Sequence, residues 1–474
     1  MARILMVASE AAPFVKTGGL ADVIGSLPVA LQARGEEVAV VIPAYRAVAG
    51  FDDFPIAFRD LPVHLAGRVY SVDIRETEHR GVPFFFVDCP PLFDRDGLYG
   101  DADGDFPDNH IRFAVFCRAT LGVVRQLFRP NVLHCHDWQA ALVAPYVRDT
   151  YRGDPTFAGI KLLFTIHNLG YQGIFPATLL PEMGLDPKVF RPDQMEFFGR
   201  INLLKGGIYF SDAVSTVSRK YAQEIQTPEY GFGLEYFLRT QGSKLRGILN
   251  GVDYSEWSPE RDPYIAHHYS AADLSGKRDC KRVLLAEFGL PMENLDRPLI
   301  GIVSRFVDQK GFDLIADIAD ELPSEDVALV ALGSGEPSFE SLFLDLAAAH
   351  PDRFGARIGY DNSLAHRIEA GSDIFLMPSR YEPCGLNQIY SLRYGTVPVV
   401  RATGGLDDTI EEGTGFKFWE YTGPALLTAI RAALDAYHDP GKWLTMVRQG
   451  MSKDFSWDAS AAEYSALYRS LLTA

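Results

Sequence analysis

The chain of 474 residues has few cysteines and no pattern that would pair them. Cys89, Cys117, Cys135, Cys280 and Cys384 are odd in number, scattered and without a CxxC. That excludes a disulfide framework or a zinc site of ordinary spacing and points to a reducing compartment, the cytoplasm. Positive charge is also short: 45 Lys and Arg face 62 Asp and Glu, a formal net charge of −17. Nucleic acids and anionic membranes select a cationic footprint, so neither is expected as a partner, whereas a neutral polymer fits this balance. No apolar run approaches the roughly 20 residues that span a bilayer. The opening MARILMVASE passes straight into a strand pattern instead of a cleavable leader. No GxxxxGK[ST] occurs, which weakens the ordinary ATPase reading.

What is present is ordinary for a globular protein, at 47% hydrophobic and 23% charged residues. The length favours two domains over one core. Short apolar runs recur at 4–8, 38–42, 132–136, 162–166 and 213–217, then at 299–303, 327–332, 374–378 and 397–400. Each is followed by glycine or polar residues and then by helix-period sequence. Continuous apolar strands alternating with helices predict an α/β protein with parallel sheets covered on both faces. Ligands of such sheets sit beyond the carboxyl ends of the strands. The two series part near LRGILNGVD (245–253), followed by a polar stretch without strand pattern. The last segment, WDASAAEYSALYRSLL, spaces Trp457, Tyr464, Leu467, Tyr468 and Leu471 as a helix face that could cap either domain.

Two glycine turns punctuate strand ends. Lys16-Thr17-Gly18-Gly19-Leu20 precedes a helix predicted at 21–34, and Thr403-Gly404-Gly405-Leu406 follows the strand at 397–400. Paired glycines let a ligand approach the backbone, and free N–H groups at a helix start attract anions. A plain strand-to-helix connection is the competing reading. Neither turn fits GxGxxG, which weakens a dehydrogenase reading as well. Arg305 at a strand end and Lys310 before a helix predicted at 312–321 would clamp a diphosphate, although either alone reads as a solvated charge. Glu382 follows the strand at 374–377, and carboxylates bind sugar hydroxyls well. Cys384 has no base at a telling spacing and reads as a buried structural thiol.

His134, His136 and His167 raise a metal site, but the first two point the same way along one strand, and the better exit residues are Asp137 and His167. The acidic run at 94–109 fails as a calcium loop, because counting from Asp101 position 6 is Phe106 and position 12 is Arg112. Its DxD pairs could hold a metal-bound nucleotide sugar. On a loop, however, they read better as a solvated, mobile segment.

The motifs KTGGL (16–20), HDW (136–138), HNLGYQG (167–173), NGVD (250–253), SRF…QKG (304–311), YEPCGL (381–386) and TGGL (403–406) resemble, in order and over essentially the whole chain, the bacterial glycogen and starch synthases. These are retaining glucosyltransferases of the GT-B fold. The resemblance implies two Rossmann-like domains, 1–246 and 247–455, with the active site in the cleft between them and a final helix, 456–474, crossing back to the first. It implies transfer of glucose from ADP-glucose to the non-reducing 4-OH of an α-1,4-glucan such as glycogen, with no metal and no cofactor. Carried onto this chain, Glu382, His167 and Asp137 form the catalytic group. Lys16, Gly18, Gly19 and Asp22 face the donor, Arg305 and Lys310 bind its phosphates, and Thr403, Gly404, Gly405 and Leu406 lie under the distal phosphate. Asn168, Asn250, Cys384, Gly385 and Leu386 complete the substrate contacts, and Tyr360 stacks on adenine. Tyr390 stands where the wider pattern has a second glutamate, which puts ribose recognition by that position in doubt.

Overall fold

In the computed structural model, residues 1–101 and 103–473 are described; Ala102 of the acidic run and the terminal Ala474 lie outside the described residues. The chain divides into two compact units, Met1–Gly251 with Trp457–Ala474, and Val252–Ser456. All nine apolar runs read as strands in the sequence are strands.

The first unit is built on a nine-stranded sheet, beside a three-stranded and a two-stranded one. Its spatial order is Leu245–Gly247, Ala213–Thr216, Lys161–Ile166, Val132–His136, Arg3–Val7, Glu37–Pro43, Val82–Asp88, Arg68–His79 and Ile56–Leu65. The first seven pair in parallel, and the last two add as antiparallel partners. The hairpin of Ile56–Leu65 and Arg68–His79 was not legible as strand because RVYSVDIRETEH alternates apolar and charged residues, as suits a sheet with one wet face. By contrast Ile4, Leu5, Met6 and Val7 are all fully buried, the pattern of a strand covered on both sides.

Six parallel strands form the second unit's sheet, in the order Phe354–Ile358, Ala328–Gly335, Leu299–Phe306, Ile374–Met377, Val397–Arg401 and Phe416–Phe418. The helix expected at 312–321 is shorter, Phe312–Asp317, because the chain tightens into three-residue turns from Ile318 onward. The polar stretch after Val252 packs without strands. Trp257 is sandwiched between His366 (ring centroids 3.6 Å apart) and Tyr390 (3.9 Å). Tyr390, at the position where a ribose-binding glutamate is absent, is therefore committed to a buried stack.

Numbering parallel strands along the chain, both sheets run 3-2-1-4-5-6, with a seventh added in the first. Strand order reverses once in each: between Arg3–Val7 and Val132–His136, and between Leu299–Phe306 and Ile374–Met377. The loops leaving neighbouring strands at such a point go to opposite faces and leave a crevice at the carboxyl edge.

The final helix, Trp457–Thr473, belongs to the first unit. Tyr464 and Tyr468 are fully buried, and the Tyr468 hydroxyl lies 2.8 Å from His134 Nδ1. His134 Nε2 lies 2.6 Å from Thr165 Oγ1, which in turn meets Ser215 Oγ at 2.6 Å. A buried polar chain thus runs across three strands and ends on the helix. Tyr468→Phe should strand His134 Nδ1 and lower unfolding free energy by about 1–3 kcal/mol, read by chemical denaturation.

Candidate active site

At the first unit's reversal point, strand Arg3–Val7 runs into Ser9 and the buried Glu10. The Glu10 carboxylate accepts the amides of Thr17 and Gly18 and the Thr17 hydroxyl, and Tyr99 donates to it at 3.1 Å. Burial holds its carboxyl above the usual range in spite of these donors. This corrects one expectation: the amides of Thr17 and Gly18 do not stand open for an anion, because an internal anion already takes them. The next amides, of Gly19 and Leu20, open the helix Gly19–Ala33, where first-turn N–H groups have no helical acceptor. Lys16 Nζ is 2.6 Å from Asp22 Oδ1, half a dozen residues on, so its charge is balanced within the same turn. Glu10 and Tyr99 belong to the candidate site by their contacts with the turn, and motif reading missed them. A carboxylate just past the first strand at a reversal point was the available signal for Glu10, whereas Tyr99 is hidden in the acidic run.

Across the reversal, strand Val132–His136 delivers Asp137 in a left-handed backbone conformation, φ 57°. Among non-glycine residues Asp tolerates this region comparatively well, and such strain, about 1–3 kcal/mol, gathers at functional sites. Its Oδ1 accepts the His167 amide at 2.7 Å. Burial pushes the Asp137 carboxyl up to about 7; the amides of His167 and Asn168 oppose this, and the charge of Glu10 adds to it. Burial also pushes His167 down to about 3, and His134 and His136 well below the ordinary imidazole value. His136 Nδ1 lies 2.9 Å from His167 Nε2, so two neutral rings share one proton-bearing contact. The imidazoles serve each other and the fold, and among the described residues no group of three or more His, Cys, Asp or Glu could hold a metal ion. Asn168 Oδ1 accepts the Gly170 amide at 2.9 Å. Asn250 is buried, and its Oδ1 has no hydrogen-bond partner among the described residues. In the acidic run, Asp94 and Asp96 pair with Arg46 and Asp108 with Arg95, so part of the segment read as solvated is tied down by arginines.

In the second unit, Arg305 leaves the end of Leu299–Phe306 exposed and without a side-chain partner among the described residues. Lys310 closes the short turn Asp308–Lys310 and points its ammonium at Glu382, Nζ to Oε2 2.6 Å. Ser379 Oγ donates to the same oxygen at 3.0 Å. The two loops are stapled together, with Arg380 N donating to Gln309 O (2.9 Å) and Gln309 Nε2 to Tyr381 O (3.3 Å). Gly311, at φ 73°, lies where a Cβ would strike the Pro378 carbonyl. Cys384 is buried, and Gln388 Nε2 donates to the carbonyls of Cys384 (3.0 Å) and Gly385 (3.1 Å) before Leu386 caps the helix Asn387–Tyr394. Tyr360, past strand Phe354–Ile358, presents its ring at 81% exposure.

The two TGGL turns thus need glycine for different reasons. A Cβ on Gly404 would overlap the Glu382 carbonyl and one on Gly405 the Cys384 carbonyl, and the Gly405 amide donates to Glu382 O at 3.1 Å. Thr403 and Leu406 are buried behind them. Packing of the EPCG loop, not ligand approach, dictates this pair. Gly18 has no atom within 4 Å of a Cβ and an extended backbone. Gly18→Ala should therefore leave stability within about 0.5 kcal/mol of the parent. Gly405→Ala should destabilise by about 1–3 kcal/mol or more by overpacking, both read by chemical denaturation.

Asp137 sets a second test. Its carboxyl ordinarily titrates at 3.8 and here at about 7, so the fold holds the proton more tightly, and the ionised form weakens the fold progressively as pH rises between those values. Asp137→Asn, which keeps the acceptor for the His167 amide, should raise the melting temperature by a few degrees at pH 8 and leave it unchanged at pH 4. The histidines act oppositely. His167, with an ordinary value of 6.5 and about 3 here, loses stability for the fold as pH falls through that window. His134 and His136 act the same way.

Comparison with known proteins agrees with this arrangement. Residues 3–240 match the starch synthase catalytic domain family, and residues 291–443 match the glycosyl transferases group 1 family. A glycogen synthase of Koribacter versatilis is 52% identical over 98% of this chain and 97% of its own, and one from Moorella thermoacetica is 45% identical over 99% and 97%. The catalytic domain of starch synthase IV from Arabidopsis thaliana, solved with ADP and acarbose, superposes with a TM-score of 0.92 at 35% identity, covering 100% of both chains. A sucrose-phosphate synthase from Thermosynechococcus elongatus, at 18% identity and a TM-score of 0.63 over 100% of both chains, shares the fold. With two units of Rossmann strand order and whole-length identity at this level, the chain belongs to the glycogen and starch synthase family of GT-B glycosyltransferases.

Proposed function

We propose that the protein transfers glucose from ADP-glucose to the non-reducing 4-OH of an α-1,4-glucan, with retention of configuration, and works in the cytoplasm in glycogen synthesis. One observation carries this reading most of the way. At the reversal point of the second sheet, Lys310 stands 2.6 Å from a buried carboxylate, Glu382, and Arg305 leaves the end of the strand Leu299–Phe306. The related starch synthase was solved with ADP, a diphosphate of the size two such cations would hold. The five free, buried cysteines suit a reducing compartment.

Breaking the glycosidic bond builds negative charge on the departing diphosphate and positive character on the sugar. Fixed cations stabilise the first without reorganising at the moment of reaction. Arg305, unpaired among the described residues, is available at once, whereas Lys310 must first loosen its hold on Glu382. Diphosphate competing for Lys310 releases the Glu382 carboxylate to accept sugar hydroxyls, so donor binding arms the site. The turn of Thr403, Gly404, Gly405 and Leu406 lies against the Glu382 loop and supports the distal phosphate from that side, while Cys384, Gly385 and Leu386 shape its floor. Tyr360 offers an exposed ring for adenine. From the first unit, Lys16, Gly18, Gly19 and Asp22 meet the donor, and neutral His167 with Asn168 and Asn250 offers hydrogen bonds to the glucosyl unit. Asp137 stands near the reacting centre. Protein cations supply the charge that a metal supplies in other transferases, so activity should persist in EDTA.

Glucose incorporation into glycogen from ADP-glucose and UDP-glucose, run side by side with and without EDTA, tests the reading; a strict Mg²⁺ requirement or a β-linked product overturns it. Arg305→Ala should weaken ADP binding by at least about tenfold without changing the melting temperature, since the side chain has no partner to abandon. Lys310→Ala should weaken ADP binding and stability together, because it leaves Glu382 buried and unpaired. Lys16→Ala should cost on the order of a hundredfold in kcat with little change in ADP affinity by calorimetry.

A further inference from the structure

We propose that Trp257 and Asp262, on the strandless stretch after Val252, are positioning residues that set the spacing between the nucleobase end and the phosphate end of the donor site, an inference that rests on the nucleotide-sugar donor proposed above. The two ends belong to different strands. Tyr360 follows Phe354–Ile358, whereas Glu382 and the floor of Cys384, Gly385 and Leu386 follow Ile374–Met377, three strand steps away in the sheet, about 14 Å. Each end runs directly into a helix. Asn362–Gly371 starts just past Tyr360, whose hydroxyl donates to Asn362 Oδ1 at 3.3 Å, and Asn387–Tyr394 starts straight after Leu386. A helix between two parallel strands runs back against them, so both helices begin at the carboxyl edge and each carries a piece of the donor site at its start.

A wedge fixes those starts relative to each other. Trp257 lies flat between His366 of the first helix and Tyr390 of the second, with planes 14° and 5° from parallel and centroids 3.6 and 3.9 Å away. Asp262 is buried, and its Oδ2 accepts from His366 Nδ1 at 2.7 Å and from the Tyr394 hydroxyl at 2.5 Å, so it ties the same two helices. Its Oδ1 accepts the Tyr264 amide at 2.8 Å. Burial pushes this carboxyl up, but the three donors together hold it below its ordinary range, as an anion with both oxygens engaged. At the far ends the Tyr269 hydroxyl repeats the tie, donating to the carbonyls of Tyr394 (2.9 Å) and Ala370 (3.3 Å).

Cohesion between the helices does not need an indole there. Ser391 Oγ donates directly to Glu369 Oε2 at 2.7 Å, so the two already meet just beyond the wedge. Ahead of that contact the indole holds them a ring's thickness apart, on the way to the donor site. An aliphatic residue in its place lets the starts close or twist. Tyr360 then moves against the phosphate loops while each loop keeps its own internal bonds. A ligand that touches one end only is indifferent to that shift, whereas one that spans both is not. Pyrophosphate is the first kind and ADP the second.

Calorimetric titration of ADP and of pyrophosphate into the full chain tests this. Trp257→Leu should weaken ADP binding about tenfold and leave pyrophosphate binding unchanged. Its KM for ADP-glucose should rise about tenfold with kcat within about twofold of the parent. Trp257→Phe, which restores a flat ring between His366 and Tyr390, should bind ADP within about twofold of the parent. Should Trp257→Leu not fold, Asp262→Asn, which keeps an acceptor for Tyr394 and loses the charge, should show the same split at about threefold. Equal losses of ADP and pyrophosphate affinity make the segment a piece of core and overturn the spacing role. So does an ADP affinity that neither variant changes. Failure of the proposed activity reads differently: a parent that binds ADP yet transfers no glucose from ADP-glucose refutes the transfer, while the comparison of ADP with pyrophosphate still decides the spacing role.

Discussion

A parallel strand buried on both faces can present a charged group to a ligand only at its ends. Every backbone group along it is spent on neighbouring strands, and every side chain along it lies against a helix or the core. In this protein that constraint decides where chemistry can be placed. Ile4 to Val7 are sealed, and Glu10 is the first charged group past them; Val132, Leu133 and Cys135 are sealed, and Asp137 follows at the exit. The same holds for Leu299–Phe306, with Arg305 at its mouth, and for Ile374–Met377, with Glu382 beyond it. Because strand order reverses at each of these pairs, the exits diverge and leave room for a ligand.

Apart from Arg305, each site keeps these charges occupied from within. Glu10 fills the amides of its turn, Asp22 answers Lys16, and Glu382 answers Lys310. The pairs differ in weight. Lys16 with Asp22 is partly wet, with a side-chain exposure of 44% on the lysine, and an ion pair so placed is worth about 0–1 kcal/mol. Lys310 with Glu382 is largely buried, and removing one partner there exposes the other to an uncompensated burial cost of about 3–5 kcal/mol. A ligand that separates the second pair must bring comparable charge, which a diphosphate does and a neutral sugar alone does not.

Much of this was legible in the order of residues. Unbroken apolar runs mark the parallel strands because two-sided burial leaves no room for alternation, and charged or glycine-rich residues at their ends mark the exits. What escaped is what local pattern cannot encode. The hairpin Ile56–Leu65 and Arg68–His79 has one solvated face and reads as ordinary polar sequence. Glu10 sits inside an unremarkable ASEAAP, and only the fold brings Thr17 and Tyr99 to it. The requirement for glycine at 404 and 405 was visible, but its cause was not, since the carbonyls of Glu382 and Cys384 approach from 22 and 21 residues upstream. Likewise the pairing of Lys310 with Glu382 spans 72 residues and has no trace in either motif alone.

The polar chain from Ser215 through Thr165 and His134 to Tyr468 also bears on how the molecule is made. Tyr468 is separated from His134 by 334 residues. A ribosome adding about 5–20 residues per second needs on the order of tens of seconds to cover that distance. Once Leu245–Gly247 has been made the first unit has its sheet but not the helix that seals His134, while the second unit, contiguous from Val252 to Ser456, has all its strands before the last helix is made. Order of synthesis and order of completion are therefore inverted. The half that emerges first finishes last, and a nascent chain stalled short of the final helix carries one finished unit and one with an open, polar-lined seam.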